Sequence, residues 1–309
     1  MNFYSRDLHM KKVCAIVVTY NRAELLRSCI ESLLLQRPLD GIIVVDNCSG
    51  DGTHVYLSAL VNEHFHVYRM NENTGGAGGF HYGLRKSVEL GYEYSWIMDD
   101  DAIPRDGALD ALLKAAEVLD WDFGFLSSKV VSEHGDVINI PIVDMSRNDA
   151  GCPRWADQLE HGMVRIRRST FVSVFVPNAM LRLYGLPIKE MFIWGDDSEF
   201  TLRLSDKHAC YVVGQSVVLH KRKSNKSLSV YSEENRTRIQ LYYYFYRNAV
   251  YAIRKDEKSF HEKIYALLRL MSAVFLIPFR SRTHLSLRMA VVIRGVAAGF
   301  FFRPRIAMP

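Results

Sequence analysis

Ser95-Trp96-Ile97-Met98-Asp99-Asp100-Asp101 is the stretch that decides how the chain is read. An apolar run that reads as a buried strand stops on three successive carboxylates. Like charges at a strand end repel one another and lose hydration, and a divalent cation is the partner that most readily holds such a cluster. Asp99 and Asp101 are two apart. In extended chain they point the same way, and in a turn they still converge on one hard ion with oxygen ligands. Read alone, the cluster is equally an acidic loop after a strand.

Upstream, Val13-Cys14-Ala15-Ile16-Val17-Val18 and Gly41-Ile42-Ile43-Val44-Val45 are short apolar runs rich in β-branched residues, read as buried strands. Phe65 to Arg69 makes a third. Within Ala23 to Gln36, Leu25, Leu26, Cys29, Ile30, Leu33 and Leu34 recur at helical spacing. Ser49-Gly50-Asp51-Gly52-Thr53 is a turn that opens another helix. The glycines of Gly75 to Gly79 lead into one that ends at about Leu90. This alternation predicts an α/β fold, a parallel sheet with helices on both faces. Ligands bind such sheets beyond the carboxyl ends of the strands. Thr19, Asn21, Asp46, Asn73 and Asp99 to Asp101 fall there.

Downstream, a helix is expected over Arg105–Leu119, then strands at Phe123–Val131, Val137–Val143, Val164–Arg168 and Phe171–Val176. Arg147 to Trp155 reads as a loop. A helix is expected at Ser198–Asp206, strands at Tyr211–Val213 and Val217–His220, and a long helix at Glu233–Lys255. Two apolar helices, Leu267–Phe279 and Leu285–Phe302, close the chain with Arg269, Arg280, Arg282, Arg288 and Arg294 interspersed. The expected organisation is a donor-binding half at 1–121, an acceptor-binding and catalytic half at 122–230, and a basic helical region at 231–309.

With 49% hydrophobic and 24% charged residues, the composition is that of a folded globular protein rather than a disordered one. Five scattered cysteines without a Cys-x-x-Cys pair fit reduced thiols in a cytosolic protein. The N-terminus lacks the apolar core of a signal peptide, and no run of about 18 to 20 apolar residues predicts a spanning helix. The net charge of +5 hides an asymmetry: residues 221–309 carry 18 Lys and Arg against 5 Asp and Glu, whereas residues 1–220 carry 21 against 29. An acidic body and a basic, apolar tail favour an anionic membrane surface over nucleic acid as the tail's partner. That places the protein in the cytoplasm, peripheral on the inner face of the membrane. A helical pair packed on the body with snorkelling arginines fits the tail equally well.

Several residues carry candidate chemistry. Arg22 sits where a strand gives way to a helix, so its guanidinium and nearby amides suit a diphosphate; alone it also reads as a surface arginine. Asp46 ends a strand and suits ribose hydroxyls or a base N–H, or simply caps the next turn. Asn73-Thr74-Gly75-Gly76-Ala77-Gly78-Gly79-Phe80 has four glycines in five positions, which permits close ligand approach. It lacks the Lys-Ser/Thr of a P-loop and the third glycine of a dinucleotide fingerprint, which argues against ATPase and NAD chemistry. In Trp194-Gly195-Asp196-Asp197-Ser198-Glu199-Phe200, Trp194 offers a flat face for a sugar ring. Asp197 suits a general base whose pKa is lifted by burial and by Asp196 and Glu199. These carboxylates equally complement a helix dipole. His220, after an apolar strand, suits a cation site as an imidazole ligand or a structural role in the core.

In order and spacing, these motifs resemble the inverting family 2 glycosyltransferases, and more narrowly their galactofuranosyltransferase branch, over Val13 to about His220. The resemblance implies a GT-A fold, a Rossmann-like mixed sheet flanked by helices, with the C-terminal helical region added. It implies that Thr19, Asn21, Arg22, Asp46, Asn73, Gly76 and Asp100 contact the nucleotide. Asp99, Asp101 and His220 would hold Mn²⁺ or Mg²⁺, Asp197 would be the base, and Trp194, Asp196 and Glu199 would face the acceptor. The implied reaction transfers a sugar, foremost galactofuranose from UDP-galactofuranose, to a glycan or lipid-linked saccharide in cell-surface polysaccharide synthesis. Rhamnosyl transfer from dTDP-rhamnose is the nearest competing reading, and nucleotide-sugar binding without catalysis is the alternative from another class.

Overall fold

The computed structural model describes residues 11–221, 229–256 and 259–309. In chain order its elements are β1 (Val13–Thr19), α1 (Ala23–Leu34), β2 (Gly41–Asp46), α2 (Thr53–Ser58), β3 (Phe65–Arg69), α3 (Gly75–Glu89) and β4 (Tyr94–Asp99). There follow β5 (Ala102–Pro104), α4 (Ala108–Val118), β6 (Leu126–Val131), β7 (Ile142–Val143), β8 (Met163–Arg168), β9 (Val174–Pro177), α5 (Asn178–Tyr184) and α6 (Asp196–Ser205). β10 (Tyr211–His220) completes the sheet, and α7 (Arg236–Lys255), α8 (Phe260–Arg280) and α9 (Leu285–Phe301) form the C-terminal helical region.

β1 is buried along its whole length because it runs between two parallel neighbours, β2 and β4. The sheet order is β3-β2-β1-β4-β9-β6-β10-β8-β7, with β5 paired to β10. One face packs Leu26, Ile30 and Leu33 of α1 and Leu109 and Leu112 of α4 against Ala15 and Val17. The other packs Phe80, Leu84, Phe200 and Leu204 against Cys14, Ile16 and Val18. Alternate β1 residues therefore feed two separate core layers, as the two-residue period of a strand requires. A third core lies among the last three helices, around Ile239, Tyr242, Val250, Ile277 and Val292.

The parallel sheet expected from the upstream strand–helix alternation is formed by β3, β2, β1 and β4, and the downstream strands make the whole sheet mixed, as the family resemblance implies. β9 runs antiparallel to β4 and β6, and β10 runs parallel to β6 but antiparallel to β5 and β8. The change follows from the connections: the chain between β6 and β9 contains no α-helix to carry a parallel crossover. The strand expected at Val137–Val143 shrinks to Ile142–Val143, because Val137, Ile140 and Ile142 are exposed and have no core to enter. The two strands expected around Gly214 are one strand, β10, with an irregularity between Val213 and Val217. β5 and the short α5 were not anticipated; at three and seven residues they are too brief to show a period.

The glycines after Asn73 belong to the first turns of α3 rather than to a loop before it. Their bareness is a packing requirement. Gly75 has φ +72°, and a Cβ there would overlap the carbonyl oxygen of Phe192; at Gly79 it would overlap Val18 in β1. Gly91 also has positive φ, +80°, but faces open space. We expect Gly91→Ala to cost about 1 kcal/mol, from backbone strain alone. Gly75→Ala should cost about 3 kcal/mol or more, since overlap adds to strain. Denaturant midpoints of the two variants check this, and equal losses would contradict the packing account.

Candidate active site

Sheet register delivers the first group of side chains. Thr19 ends β1 beside Asp46 at the end of β2, and Asp99 ends β4 beside Val18, so three parallel strands finish along one edge. The chain turns at Asp100 and Asp101 and enters β5 at once. β5 pairs antiparallel with the end of β10, with Ala102 opposite His220, and the Lys221 amide donates to the Asp101 carbonyl at 2.9 Å. That pairing brings a histidine from far along the chain to the aspartates.

The cluster is tightly cross-linked. Thr19 Oγ1 donates to Asp100 Oδ2 at 2.8 Å. Arg22 Nη1 lies 3.1 Å from Asp100 Oδ1 and 2.9 Å from Asp101 Oδ2. His220 Nε2 lies 3.0 Å from Asp101 Oδ1, and its Nδ1 is 3.0 Å from Asn139 Oδ1. Asp99, Asp101 and His220 each offer a ligand atom within 4.8 Å of the others. Asp101 Oδ1 is buried without a hydrogen-bond partner among the described residues. Two carboxylates and an imidazole with such an oxygen among them fit a divalent cation of the Mn²⁺ or Mg²⁺ type.

Burial, and then the charges of Asp101 and Asp100, push the Asp99 carboxyl well above its ordinary range. Burial lifts Asp100 to about 6, against the opposing pull of Arg22. Burial also works against ionisation of Asp101, but His220 and Arg22 outweigh it and hold this carboxyl below its usual range. Among the described residues, Arg22 is the cation that closes ion pairs to both Asp100 and Asp101, apart from the His220 contact.

Beside this cluster lies a hydrogen-bonded loop layer. Asn21, in the left-handed region with φ +54°, accepts from the Gly50 amide at 2.7 Å, and its own amide donates to Ser49 Oγ at 2.9 Å. Asp46 is completely buried; Oδ1 accepts from the Ser49 amide at 2.8 Å, whereas Oδ2 has no hydrogen bond among the described residues and lies 3.7 Å from Arg69 Nε. Asn73 Oδ1 accepts from the Gly75 amide at 2.9 Å, and the half-buried Gly76 follows in the first turn of α3. Asn47 ties the layer together, accepting from the Thr74 amide at 3.0 Å and donating to the Gly75 carbonyl at 2.7 Å.

The second acidic motif is held by a strained segment. Phe192 has φ +64° and ψ −66°, and the Ile193 amide donates to the Met191 carbonyl at 2.7 Å, a γ-turn of the rare kind. The turn is clamped from both sides. Its Phe192 carbonyl accepts from the Ala77 amide of α3 at 3.1 Å. On α7, Asn248 Nδ2 donates to the carbonyls of Met191, Ile193 and Trp194 at 2.9, 3.2 and 2.9 Å. Trp194 packs on Tyr242 with centroids 4.9 Å apart and meets Phe245 edge-on. Gly195, with φ +98°, then starts α6.

Asp196 and Asp197 occupy the first turn of α6. Burial, then the charge of Asp197, pushes Asp196 up to about 8; burial also raises Asp197, whose Oδ1 accepts from the Ser198 amide at 2.6 Å. The Asp197 charge adds to the upward push on Asp99, so the two carboxylates lie close enough to interact. Glu199 is turned away into a two-pronged ion pair with Arg203, both contacts 2.9 Å, and Arg203 also donates to the Leu186 carbonyl at 3.0 Å. Thus the structure gathers Thr19, Arg22, Asp99, Asp100, Asp101, His220 and Asp197. Asn21, Asp46 and Asn73 line the adjoining loops, Trp194 stands beside α7, and Glu199 is committed within its own helix. Sequence reading missed Asn47, Arg69, Asn139 and Asn248. Asn248 had one visible signal, an amide following arginine in an otherwise aromatic run.

Known proteins resemble this chain in sequence and in fold. The family model described as Glycosyl transferase family 2 matches residues 14–141. The galactofuranosyltransferase GlfT1 of Mycolicibacterium smegmatis is 36% identical over 110 residues, 35% of this chain and 36% of that protein. The chain thus spans about a third of the length of that curated relative. Residues 1–349 of S. aureus TarS in complex with UDP-GlcNAc superpose with a TM-score of 0.57 at 15% identity, covering 92% of this chain and 81% of that TarS fragment. GalNAc-T7 with UDP, GalNAc and Mn²⁺ gives 0.58 at 13% identity, covering 85% and 55%. With its mixed sheet, flanking helices and C-terminal helical region, the chain has the GT-A fold, and its residues 14–141 match the glycosyl transferase family 2 model.

Proposed function

We propose that the protein transfers a sugar from a nucleoside diphosphate to an acceptor hydroxyl with inversion at the anomeric carbon. The observation that carries this reading is the meeting of ligand atoms from Asp99, Asp101 and His220 within 4.8 Å of one another, near enough to Asp197 for its charge to be felt at Asp99. Those three residues would hold a divalent cation, which would supply Lewis-acid stabilisation of the charge that develops on the departing diphosphate. Arg22, already facing Asp100 and Asp101, is placed to pair with phosphate oxygens. The orphaned Asp46 Oδ2 at the end of β2 suits a nucleoside N–H or hydroxyl reaching between the loops. Asp197 takes the proton of the attacking hydroxyl while the new bond to the anomeric carbon forms. The old bond breaks with its electron pair going to the phosphate oxygen. Burial of Asp197 raises its affinity for that proton. A single displacement of this kind inverts the configuration.

The likeness to GlfT1 supports galactofuranose from UDP-galactofuranose as the donor, and the UDP-GlcNAc bound by TarS is consistent with a uridine nucleotide. Asp197→Asn should retain UDP binding while turnover falls about 100-fold or more; near-wild-type transfer by this variant removes Asp197 from the base role. Transfer should stop in EDTA and return with Mn²⁺ or Mg²⁺. Full turnover in chelator refutes the cation.

The acceptor we propose is a lipid-linked saccharide presented at an anionic membrane. Among the described residues no helix is long and apolar enough to cross a membrane. α9 packs inward, and Arg288, one of the arginines expected at the surface, is 1% exposed and donates to the carbonyls of Thr283 and Glu233. α8 is different. Leu268, Phe275 and Phe279 follow one another along a single exposed face, opposite the buried Ala273 and Ile277. Arg269, Arg280, Arg282 and Arg294 are exposed as well. An apolar stripe with basic neighbours suits the headgroup boundary of an anionic bilayer. The protein should co-sediment with liposomes containing anionic lipid and remain in the supernatant with neutral ones; equal recovery in both rules out the electrostatic attraction.

A further inference from the structure

We infer that Asn139 is a positioning residue that fixes the ring tautomer of His220 for cation binding, an inference that rests on the cation reading above. Asn139 lies between β6 and β7, half-buried and with φ +49°, a left-handed conformation that asparagine tolerates better than most residues. Its Nδ2 donates to Thr170 Oγ1 at 3.2 Å, which leaves Oδ1 facing His220 Nδ1 at 3.0 Å. An amide oxygen only accepts, so the ring must present Nδ1–H to it. In a neutral imidazole the lone pair then sits on Nε2, the nitrogen 3.0 Å from Asp101 Oδ1. A lone pair turned toward a carboxylate oxygen is repulsive unless positive charge lies between them, and a divalent cation would provide it. Without Asn139 the Nδ1–H loses this acceptor, and the alternative tautomer, with its proton on Nε2, would hydrogen-bond Asp101 and occupy the ligand position. Partners that fix a metal-binding histidine in this way contribute about 10- to 100-fold in affinity.

The direct test combines two readouts on the full chain. In metal-free protein above the titration of histidine, ¹⁵N NMR of the imidazoles, with the His220→Gln variant to assign the signal, should show the Nδ1–H tautomer at His220. Asn139→Gly, which suits the positive φ and so preserves the loop, should shift that signal toward Nε2–H and weaken Mn²⁺ binding, followed by EPR in the presence of UDP, about 10- to 100-fold. Asn139→Asp, whose carboxylate still accepts from Nδ1–H, should keep both the tautomer and Mn²⁺ affinity within a few-fold of the original. An Nε2–H tautomer in the parent chain overturns the assignment, as does unchanged Mn²⁺ affinity in Asn139→Gly. A parent chain that binds no Mn²⁺ yet shows Nδ1–H at His220 instead overturns the cation reading and leaves the hydrogen bond in place.

Discussion

The architecture depends on the crowding of Asp99, Asp100 and Asp101 at the end of a buried strand. Taking carboxylates out of water is costly unless each finds a donor or a counter-charge. Thr19 and Arg22 from the end of β1 serve Asp100, and Arg22 serves Asp101, whose other oxygen faces His220 Nε2. Asp99 is left with its ionisation strongly disfavoured. A fold built only for stability would have no reason to keep a third acid there. Excess negative charge, gathered at the carboxyl edge of a sheet, is what a cation-assisted phosphate leaving group requires.

Two further constraints hold the second acidic motif near this charge. The bare first turns of α3 let its backbone lie against β1 and receive the Phe192 carbonyl, and Asn248 of α7 grips the same strained turn from the other side. The turn ends where α6 begins, so Asp196 and Asp197 are presented from a rigid helix start rather than from a loose loop. Strain of this type persists where the surroundings over-determine it. The C-terminal region is therefore part of the site's scaffold as well as a surface, since α7 supplies Asn248 and the Tyr242 that packs on Trp194.

Much of this was legible in the residues themselves. Strands whose apolar runs end in Thr19, Asp46 and Asp99 announced that these side chains finish along one edge, because burial and the two-residue period leave little freedom in a parallel sheet. His220 was legible only as a histidine ending an apolar run; its meeting with Asp101 depends on the three-residue β5, which is too short to announce itself. Glu199 looked like a partner of Asp197, yet a helical spacing of four gives it to Arg203. Asn47, Asn139 and Asn248 were invisible because a single amide carries no pattern; its role is set by which carbonyl, amide or ring the fold brings to it. The apolar alternation at Val137–Val143 misled for the opposite reason, since a pattern makes a strand only where there is a neighbour to pair with and a core to cover.

The most direct measurement is the anomalous scattering of crystals grown with Mn²⁺ and UDP, recorded at the manganese edge. A single strong peak within coordination distance of Asp99, Asp101 and His220, touching the diphosphate, is the predicted result. A nucleotide seated in the cleft with manganese elsewhere, or with none, would contradict the account.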